Sequence, residues 1–165
     1  MTVVQADQLC ARAGKRLLTA AEWYVVARGS PDNQTSCATT GGLQTTGAAP
    51  QCVSGVGVFD TVGNVWELVS DTVSDGKIDH DTLPPSGYVT AILPSGLPKM
   101  TEATPNVLYN NDYFWNELST GTFAVMRGGF YGSGEDGGMY SAHADTEQNF
   151  SSTAVGFRCV RELQH

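Results

Sequence analysis

The sequence contains no long hydrophobic run, few charged residues and little positive charge. No apolar stretch approaches the roughly 20 residues that a membrane-spanning helix needs. Nine lysine and arginine residues stand against 17 aspartate and glutamate residues, which gives a formal net charge of −8. Because nucleic-acid phosphates are bound by clustered lysine and arginine, we expect no nucleic-acid partner. A basic amphipathic helix is also missing, so we expect no membrane insertion by this chain.

The spacings of zinc sites are absent as well, although four cysteines are present. Cys10, Cys37, Cys52 and Cys159 include no Cys-x-x-Cys pair, and the three histidines, His165 among them, include no pair at the three-to-five-residue spacing of a zinc finger. Four cysteines in a loop-rich domain allow two disulfides, and four reduced thiols are the alternative. We favour disulfides, which loop-rich exported domains often contain. The sequence starts without a secretory signal, so we expect any export signal or display anchor to lie outside this chain.

The 165 residues are enough for one domain with its own core, and 19 glycines indicate a loop-rich fold. Two short helices are expected near the start. Residues 2–12 have helical apolar spacing and begin with a capping-box pair, Thr2 and Gln5. A second helix is expected to begin at a similar capping-box pair, with Thr19 as the N-cap and Glu22 three residues later.

The remainder of the chain alternates strand-like segments with loops. Residues 31–56 are polar and rich in glycine and threonine, which predicts a loop. Residues 56–71 are strand-like and are broken by a predicted turn at residues 61–64. Residues 71–116 contain several prolines and form a long predicted insertion, of the kind that usually carries function or covers a surface. Further strands are predicted at residues 122–130 and 154–160.

Four segments resemble the signature motifs of one protein family. Residues 14–23 (GKRLLTAAEW) resemble its GKRLPTxxEW helix start, and residues 59–67 (FDTVGNVWE) resemble its GNVWE segment. Residues 127–130 (RGGF) and 156–161 (GFRCVR) resemble its closing RGGS and GFRC strands. In this order and at these distances, the four segments make the chain similar to the formylglycine-generating enzyme family.

The resemblance implies a C-type-lectin-like fold of the α+β class, with two helices on a small twisted antiparallel sheet and long loops. It covers nearly all of a single domain at residues 1–165, except for the insertion at residues 71–116. It also pairs Cys10 with Cys159, which ties the first helix to the last strand. Cys37 is then left to pair with Cys52.

A calcium site is also implied by the resemblance. In the enzymes of the family, the GNVWE segment can bind Ca²⁺ through an asparagine, two carbonyl oxygens and a glutamate. The matching positions are Asp60, the carbonyl oxygens of Gly63 and Val65, and Glu67. These are oxygen ligands of the kind that a hard cation prefers. We expect Ca²⁺ as an optional ligand and no required cofactor. For Asn64 and Glu67, hydrogen bonds to turn amides are the alternative role.

The catalytic cysteines of the family are missing. The formylglycine-generating enzyme uses two cysteines just after its RGGS strand, which bind copper and activate oxygen. The corresponding residues 130–139 (FYGSGEDGGM) contain no cysteine, so the thiolates that hold a soft metal are lacking. No nucleophile elbow is present, and His143 near Asp145 is more typical of a solvated or ligand-contacting loop than of a general base. We therefore expect that this chain is not an enzyme.

Residues 127–161 also resemble the variable region of proteins that are diversified by retroelements. In that group a fixed frame holds positions whose asparagine template codons are randomised at adenine. Randomisation gives tyrosine, serine, aspartate, histidine, threonine, phenylalanine, glycine, alanine or asparagine, but not glutamate, glutamine, lysine, methionine or tryptophan. Glu135, Met139, Glu147 and Gln148 would accordingly belong to the frame. The candidate variable positions are Phe130, Tyr131, Ser133, Asp136, Tyr140, His143, Asp145, Thr146, Asn149, Phe150, Ser151 and Thr153.

The resemblance implies a ligand-binding variable protein of a diversity-generating retroelement, which displays a diversified surface on a C-type-lectin scaffold. Aromatic and small polar residues suit such a surface, as they do in antibody paratopes. We expect the ligand to be a protein or another macromolecule, and the location to be extracellular, on a cell surface or a virion. The alternatives are an oxidase like the formylglycine-generating enzyme and a catalytically dead structural relative.

Overall fold

The computed structural model describes residues 1–162, which form two α-helices and eleven short strands. Residues 163–165, and with them His165 and the end of the predicted domain, lie outside the described residues. No helix among residues 1–162 is long and apolar enough to cross a membrane. The helices are α1 (Val3–Arg12) and α2 (Ala20–Ala27), and the strands are β1 (Arg16–Leu17), β2 (Trp66–Ser74), β3 (Lys77–Ile78), β4 (Asp81–Thr82), β5 (Gly87–Ile92), β6 (Pro98–Glu102), β7 (Tyr113–Trp115), β8 (Thr122–Arg127), β9 (Ala142–Glu147), β10 (Val155–Phe157) and β11 (Cys159–Val160).

Both predicted helices are present with their predicted caps. At the start of α1, the Thr2 hydroxyl accepts a hydrogen bond from the Gln5 amide at 3.2 Å, and the Gln5 side chain accepts one from the Thr2 amide at 3.1 Å. Thr19 and Glu22 form the same reciprocal pair at α2. In addition, Oδ2 of Asp71 accepts a hydrogen bond from the first amide of α2 at 2.6 Å, at the end of the helix where a negative charge is stabilising. The carboxylate therefore ties α2 to β2.

Nine of the described strands form one sheet, in the order β4-β3-β2-β8-β9-β7-β5-β6, with β10 beside β2. β1 and β11 form a separate antiparallel pair. The α+β class is confirmed, but the predicted small antiparallel sheet is wrong in size and in type. The sheet is large, and the β2–β10 and β7–β9 pairs are parallel.

The sheet is larger than predicted because residues 71–116 enter it. This segment, predicted as an insertion, supplies β3 to β7. Asp75 and Gly76 close a tight hairpin between β2 and β3 with φ values of 49° and 72°, the left-handed values that a two-residue hairpin turn requires. In the segment 56–71, the chain bends at the predicted turn, residues 61–64. The strand begins only at Trp66, because residues 56–65 form turns, bends and a single bridge.

The sheet separates two hydrophobic cores. Because side chains alternate along a strand, Val125 of β8 lies in one core and Met126 lies in the other. α2 packs in the first core, where Trp23 lies among residues of β2, β8 and β9. α1 and β1 pack in the second core, around Trp66. The second side of the sheet also carries the candidate site.

Both disulfides that the resemblance implied are present. Cys10 of α1 is bonded to Cys159 of β11, and Cys37 is bonded to Cys52 within the long loop before β2. The first bond spans 149 residues and the second spans 15 residues. All four cysteines of the chain are therefore in disulfides.

The two disulfides should differ in their effect on stability. In the chain-entropy account, closing a loop of 15 residues stabilises by about 3 kcal/mol and closing one of 149 residues by about 5 kcal/mol. We expect the double variant Cys10→Ala/Cys159→Ala to lose more free energy of unfolding than Cys37→Ala/Cys52→Ala, as measured by urea denaturation. An equal or smaller loss for the first variant would contradict this ranking.

Candidate functional site

The four family-like motifs meet at Glu67. This residue lies near the start of β2 and is only 4 % exposed. Its Oε2 accepts hydrogen bonds from the indole nitrogen of Trp23 and from Nε of Arg158, both at 2.7 Å. Arg127 places its guanidinium 4.8 Å from the centre of the Trp23 ring. We call Trp23, Glu67, Arg127 and Arg158 the buried network.

Burial dominates the electrostatics of this network. It raises the pKa of Glu67, while Arg158 and the Trp23 donor act in the opposite direction. It also lowers the pKa of Arg127 to about 10, which the negative charge of Asp112 opposes. Buried charges of this kind stay ionised only when their partners are held in place. The network is therefore a structural element of the scaffold.

Two glycines allow the motifs to approach one another closely. Gly128 has a φ of 88°, and a Cβ there would lie 2.4 Å from the carbonyl oxygen of Thr61 and 3.0 Å from the Trp23 ring. Gly63 has a φ of 72°, and a Cβ there would lie 2.5 Å from the carbonyl oxygen of Ala38. Only glycine adopts this backbone conformation readily and has no Cβ that would clash with these neighbours.

Asn64 fixes the long loop that precedes the sheet. Its Oδ1 accepts a hydrogen bond from the Gln44 amide at 3.0 Å, and its Nδ2 donates one to the Gln44 carbonyl at 3.1 Å. Asn64 therefore forms hydrogen bonds to the backbone of a turn, which is the role that was expected for it if it binds no metal.

The predicted calcium ligands are engaged by protein groups. Both carboxylate oxygens of Glu67 contact the Arg158 guanidinium, which lies 2.5 Å from Oε1. Oδ2 of Asp60 accepts a hydrogen bond from the Gly47 amide at 2.7 Å. A cation held by these side chains and the carbonyls of Gly63 and Val65 would have to displace the guanidinium. In this arrangement the four residues do not fit a Ca²⁺ site, because the positive charge is already supplied.

Removing the arginine should leave an uncompensated buried carboxylate. We expect Arg158→Ala to lower the free energy of unfolding by about 3 kcal/mol, measured by urea denaturation at pH 7. Adding Glu67→Gln to this variant should recover part of the loss, since no buried charge then remains. Arg161→Ala, at an exposed position, is the matched control and should change stability by less than about 0.5 kcal/mol. A loss for Arg158→Ala no larger than that of the control would contradict a structural role for the pair.

A connected group of aromatic rings lies on the second side of the sheet. Trp115 of β7 is in register with His143 of β9, and their rings stack with centroids 6.2 Å apart. Trp66 contacts both of them edge to face, at 5.3 Å and 6.0 Å. Most of these side chains are partly exposed. We call the group the aromatic face, which consists of Trp66, Tyr88, Tyr113, Trp115, Phe130, Tyr131 and His143.

An irregularity in β9 directs its polar side chains to this side. The pairing of β9 with β8 shifts between the Ala124–Thr146 and Met126–His143 pairs. Such a bulge places an extra residue in one strand and re-aims its side chains. His143 and Thr146, three residues apart, therefore face the same side and lie 3.1 Å apart between Nδ1 and Oγ1.

Beside the aromatic face is a cleft of about 390 Å³. Five predicted variable residues line it, namely Phe130, His143, Asp145, Thr146 and Phe150. Phe150 is 46 % exposed at the rim. The other lining residues are Trp66, Met126, Glu147, Ser152, Ala154 and Val155. The cleft therefore has an apolar floor and acidic groups at one edge.

Asp145 is the most constrained of the acidic groups at the cleft. Its Oδ1 lies 2.8 Å from Nδ1 of His143, and its Oδ2 accepts a hydrogen bond from the Glu117 amide at 2.8 Å. The hydrogen bond with His143 lowers the pKa of Asp145 below its ordinary value. The carboxylate therefore stays charged at neutral pH and fixes the orientation of the imidazole.

The remaining predicted variable residues lie at different distances from the cleft. Ser133 accepts a hydrogen bond from the Phe130 amide at 3.0 Å and so orders the loop after β8. Asn149, Ser151 and Thr153 are exposed in the loop between β9 and β10. Tyr131 packs on Phe130 with ring centroids 5.2 Å apart.

Two predicted variable residues lie away from the cleft. The ring of Tyr140 contacts those of Tyr24 and Tyr109, at 6.2 Å and 5.1 Å, and packs against the first core. Asp136 lies near Tyr88, at the far end of the aromatic face. The predicted positions thus do not all share one surface.

Four aromatic residues of the site were not predicted, because they come from other parts of the chain. Tyr88, Tyr113 and Trp115 belong to residues 71–116, and Trp66 belongs to the segment that resembles GNVWE, so all four lie outside residues 127–161. The alternation of Tyr113 and Trp115 around a buried Phe114 was the available signal.

A family model of the sulfatase-modifying factor enzyme 1-like domain matches residues 1–163 of the chain. No curated protein matches it. The match covers the motifs that form the buried network as well as the strands that carry the aromatic face.

Proposed function

The chain belongs to the sulfatase-modifying factor enzyme 1-like family, and from that premise we propose that it is a binding module for a macromolecular ligand, foremost a protein. The ligand would contact the aromatic face and the adjoining cleft. The observation that carries this proposal is the set of partly exposed aromatic rings around a cleft of about 390 Å³.

The chemistry of this surface suits protein recognition. Aromatic side chains such as Trp115 and Phe150 offer a large contact area with few rotatable bonds. His143, Asp145 and Thr146 add hydrogen-bonding groups at the same place. The apolar floor favours an apolar side chain of the partner, and the carboxylates of Asp145 and Glu147 favour a basic group beside it.

Several features support a binding role over the oxidase alternative. A copper site of the enzyme type needs two free thiolates, whereas the four cysteines here form two disulfides. Residues 130–139, where the catalytic cysteines would be expected, contain none. The Asp145 carboxylate holds a backbone amide as well as His143, which favours a fixed contact surface.

We further propose that the surface is that of a variable protein of a diversity-generating retroelement. The residue types at the twelve candidate positions support this, since each is accessible from a randomised asparagine codon. Five of these positions line the cleft. An extracellular location on a cell or virion belongs to the same proposal, and the two disulfides are consistent with an oxidising environment.

Binding can be tested with the full chain on an array of purified surface proteins and polysaccharides from neighbouring cells. For any protein that binds, we expect Trp115→Ala and Phe150→Ala each to weaken the affinity by about tenfold or more, as the loss of a large aromatic contact in an interface does. Leu108→Ala is the matched control, because Leu108 is 80 % exposed and lies outside the cleft. Equal binding by all three variants would contradict the assignment of the surface.

The oxidase alternative has its own test. Copper-dependent conversion of a cysteine in a sulfatase-type peptide would restore that alternative.

Diversification is tested by sequencing copies of the gene from related isolates. We expect amino-acid differences to concentrate at the twelve candidate positions, while the frame residues Glu135, Met139, Glu147 and Gln148 stay constant. Differences that are scattered evenly over residues 1–162 would refute the retroelement proposal but leave the binding proposal intact.

A further inference from the structure

A fully buried carboxylate and a half-buried one face each other away from the cleft. Asp112, just before β7, is 0 % exposed, and Asp32 lies in the loop after α2. Both are directed at Gly138. A Cβ at this glycine would lie 2.1 Å from Oδ1 of Asp112 and 2.2 Å from Oδ1 of Asp32. The two carboxylates therefore converge on one small volume.

The outer oxygens of this pair are satisfied by the protein. Oδ2 of Asp32 accepts hydrogen bonds from the Met139 amide at 2.9 Å and from Nδ2 of Asn110 at 3.0 Å. Oδ2 of Asp112 accepts one from the Tyr140 amide at 2.6 Å. These contacts fix the orientation of both carboxylates, so that their Oδ1 atoms point inward.

The inner oxygen of Asp112 receives no hydrogen bond from a donor group in the described part of the protein, and its side-chain hydrogen-bonding neighbour, the Asp32 carboxylate, can meet it only by sharing a proton. Among the described residues, Oδ1 of Asp112 is buried and accepts no hydrogen bond, and the same is true of Oδ1 of the adjacent Asn111. Burial and the charge of Asp32 raise the pKa of Asp112 well above its ordinary value. The side chain of Arg127 donates to the Met139 carbonyl and forms no ion pair with Asp112 within residues 1–162. A buried acceptor of this kind is costly unless a ligand, a proton or water meets it.

We propose that Asp32 and Asp112 bind a Ca²⁺ ion, with neutral oxygen ligands completing its coordination. No three histidine, cysteine, aspartate or glutamate side chains gather at one point among the described residues. A site with two carboxylates and neutral oxygens suits a hard cation, in contrast to zinc or copper. Asn110 is exposed beside Asp32 and gives this side of the site contact with solvent.

The site would join three separate segments. Asp32 follows α2, Asp112 precedes β7, and the amides of Met139 and Tyr140 precede β9. β7 and β9 are the parallel pair that carries Trp115 and His143. A cation here would hold the start of both strands together. The site is distinct from the Glu67 segment and does not depend on the proposed binding function.

Calcium binding at this site should raise the thermal stability of the chain. We expect calcium titration of the chelator-treated full chain to show one bound ion, with a rise in thermal midpoint of roughly 5 to 10 °C at about 100 times Kd. Asp112→Asn and the more accessible Asp32→Asn should each weaken Ca²⁺ binding by at least about tenfold. Asp60→Asn, in the segment that resembles the family site, is the matched control and should bind as the wild type does.

The two aspartate variants also distinguish a cation from a shared proton. If Asp112→Asn fails to fold, Asp32→Asn carries the test, since it also removes one of the two converging charges. Terbium luminescence excited through tyrosine gives a second readout, because Tyr140 is adjacent to the site. Absence of calcium stabilisation in the wild type, or undiminished binding in the Asp32→Asn variant, would overturn the proposal. Two aspartates that share a proton and bind no cation would show no stabilisation by calcium.

Discussion

The buried carboxylate of Glu67 is the constraint on which the scaffold depends. At 4 % exposure it needs a positive partner and a hydrogen-bond donor. Arg158 and Trp23 supply these from opposite ends of the chain. Arg158 can do so only because β10 lies parallel to β2 at Glu67. The adjacent Cys159 is bonded to α1, which holds the end of the chain in the same place. The family-like motifs are therefore parts of one interaction rather than independent markers.

The aromatic face depends on a different feature, the position of β7 beside β9. The parallel register of this pair sets Trp115 against His143, and the bulge in β9 turns both His143 and Thr146 toward the cleft. Trp66 is the link between the two features, because it lies next to Glu67 in β2 and contacts Trp115. The aromatic face and the buried network thus share one strand but use opposite faces of it.

Local features of the sequence predicted the structure better than distant ones. The capping pairs of Thr2 and Thr19 act within four residues, and both are present as predicted. The sheet was underestimated because the partners of β5 to β7 are set by long-range pairing, which leaves no local pattern. Only the Asp75–Gly76 hairpin has a local signal, because the Asp-Gly pair is typical of a two-residue hairpin turn, and this signal was not used in the prediction. The position of Arg158 beside Glu67 also depended on tertiary structure, which the motif alone does not specify.

The burial of the candidate positions sets how freely each can change. Asn149, Ser151 and Thr153 are exposed and touch no part of the buried network, so substitution there leaves the scaffold unaltered. Thr146 is 6 % exposed and bonded to His143, so a larger residue would have to displace its neighbours. The floor at Trp66 and Met126 belongs to the second core. In the proposed function, a ligand would meet an apolar floor that belongs to the core and a surrounding rim of exposed residues. The floor would then supply most of the affinity, and the rim most of the specificity.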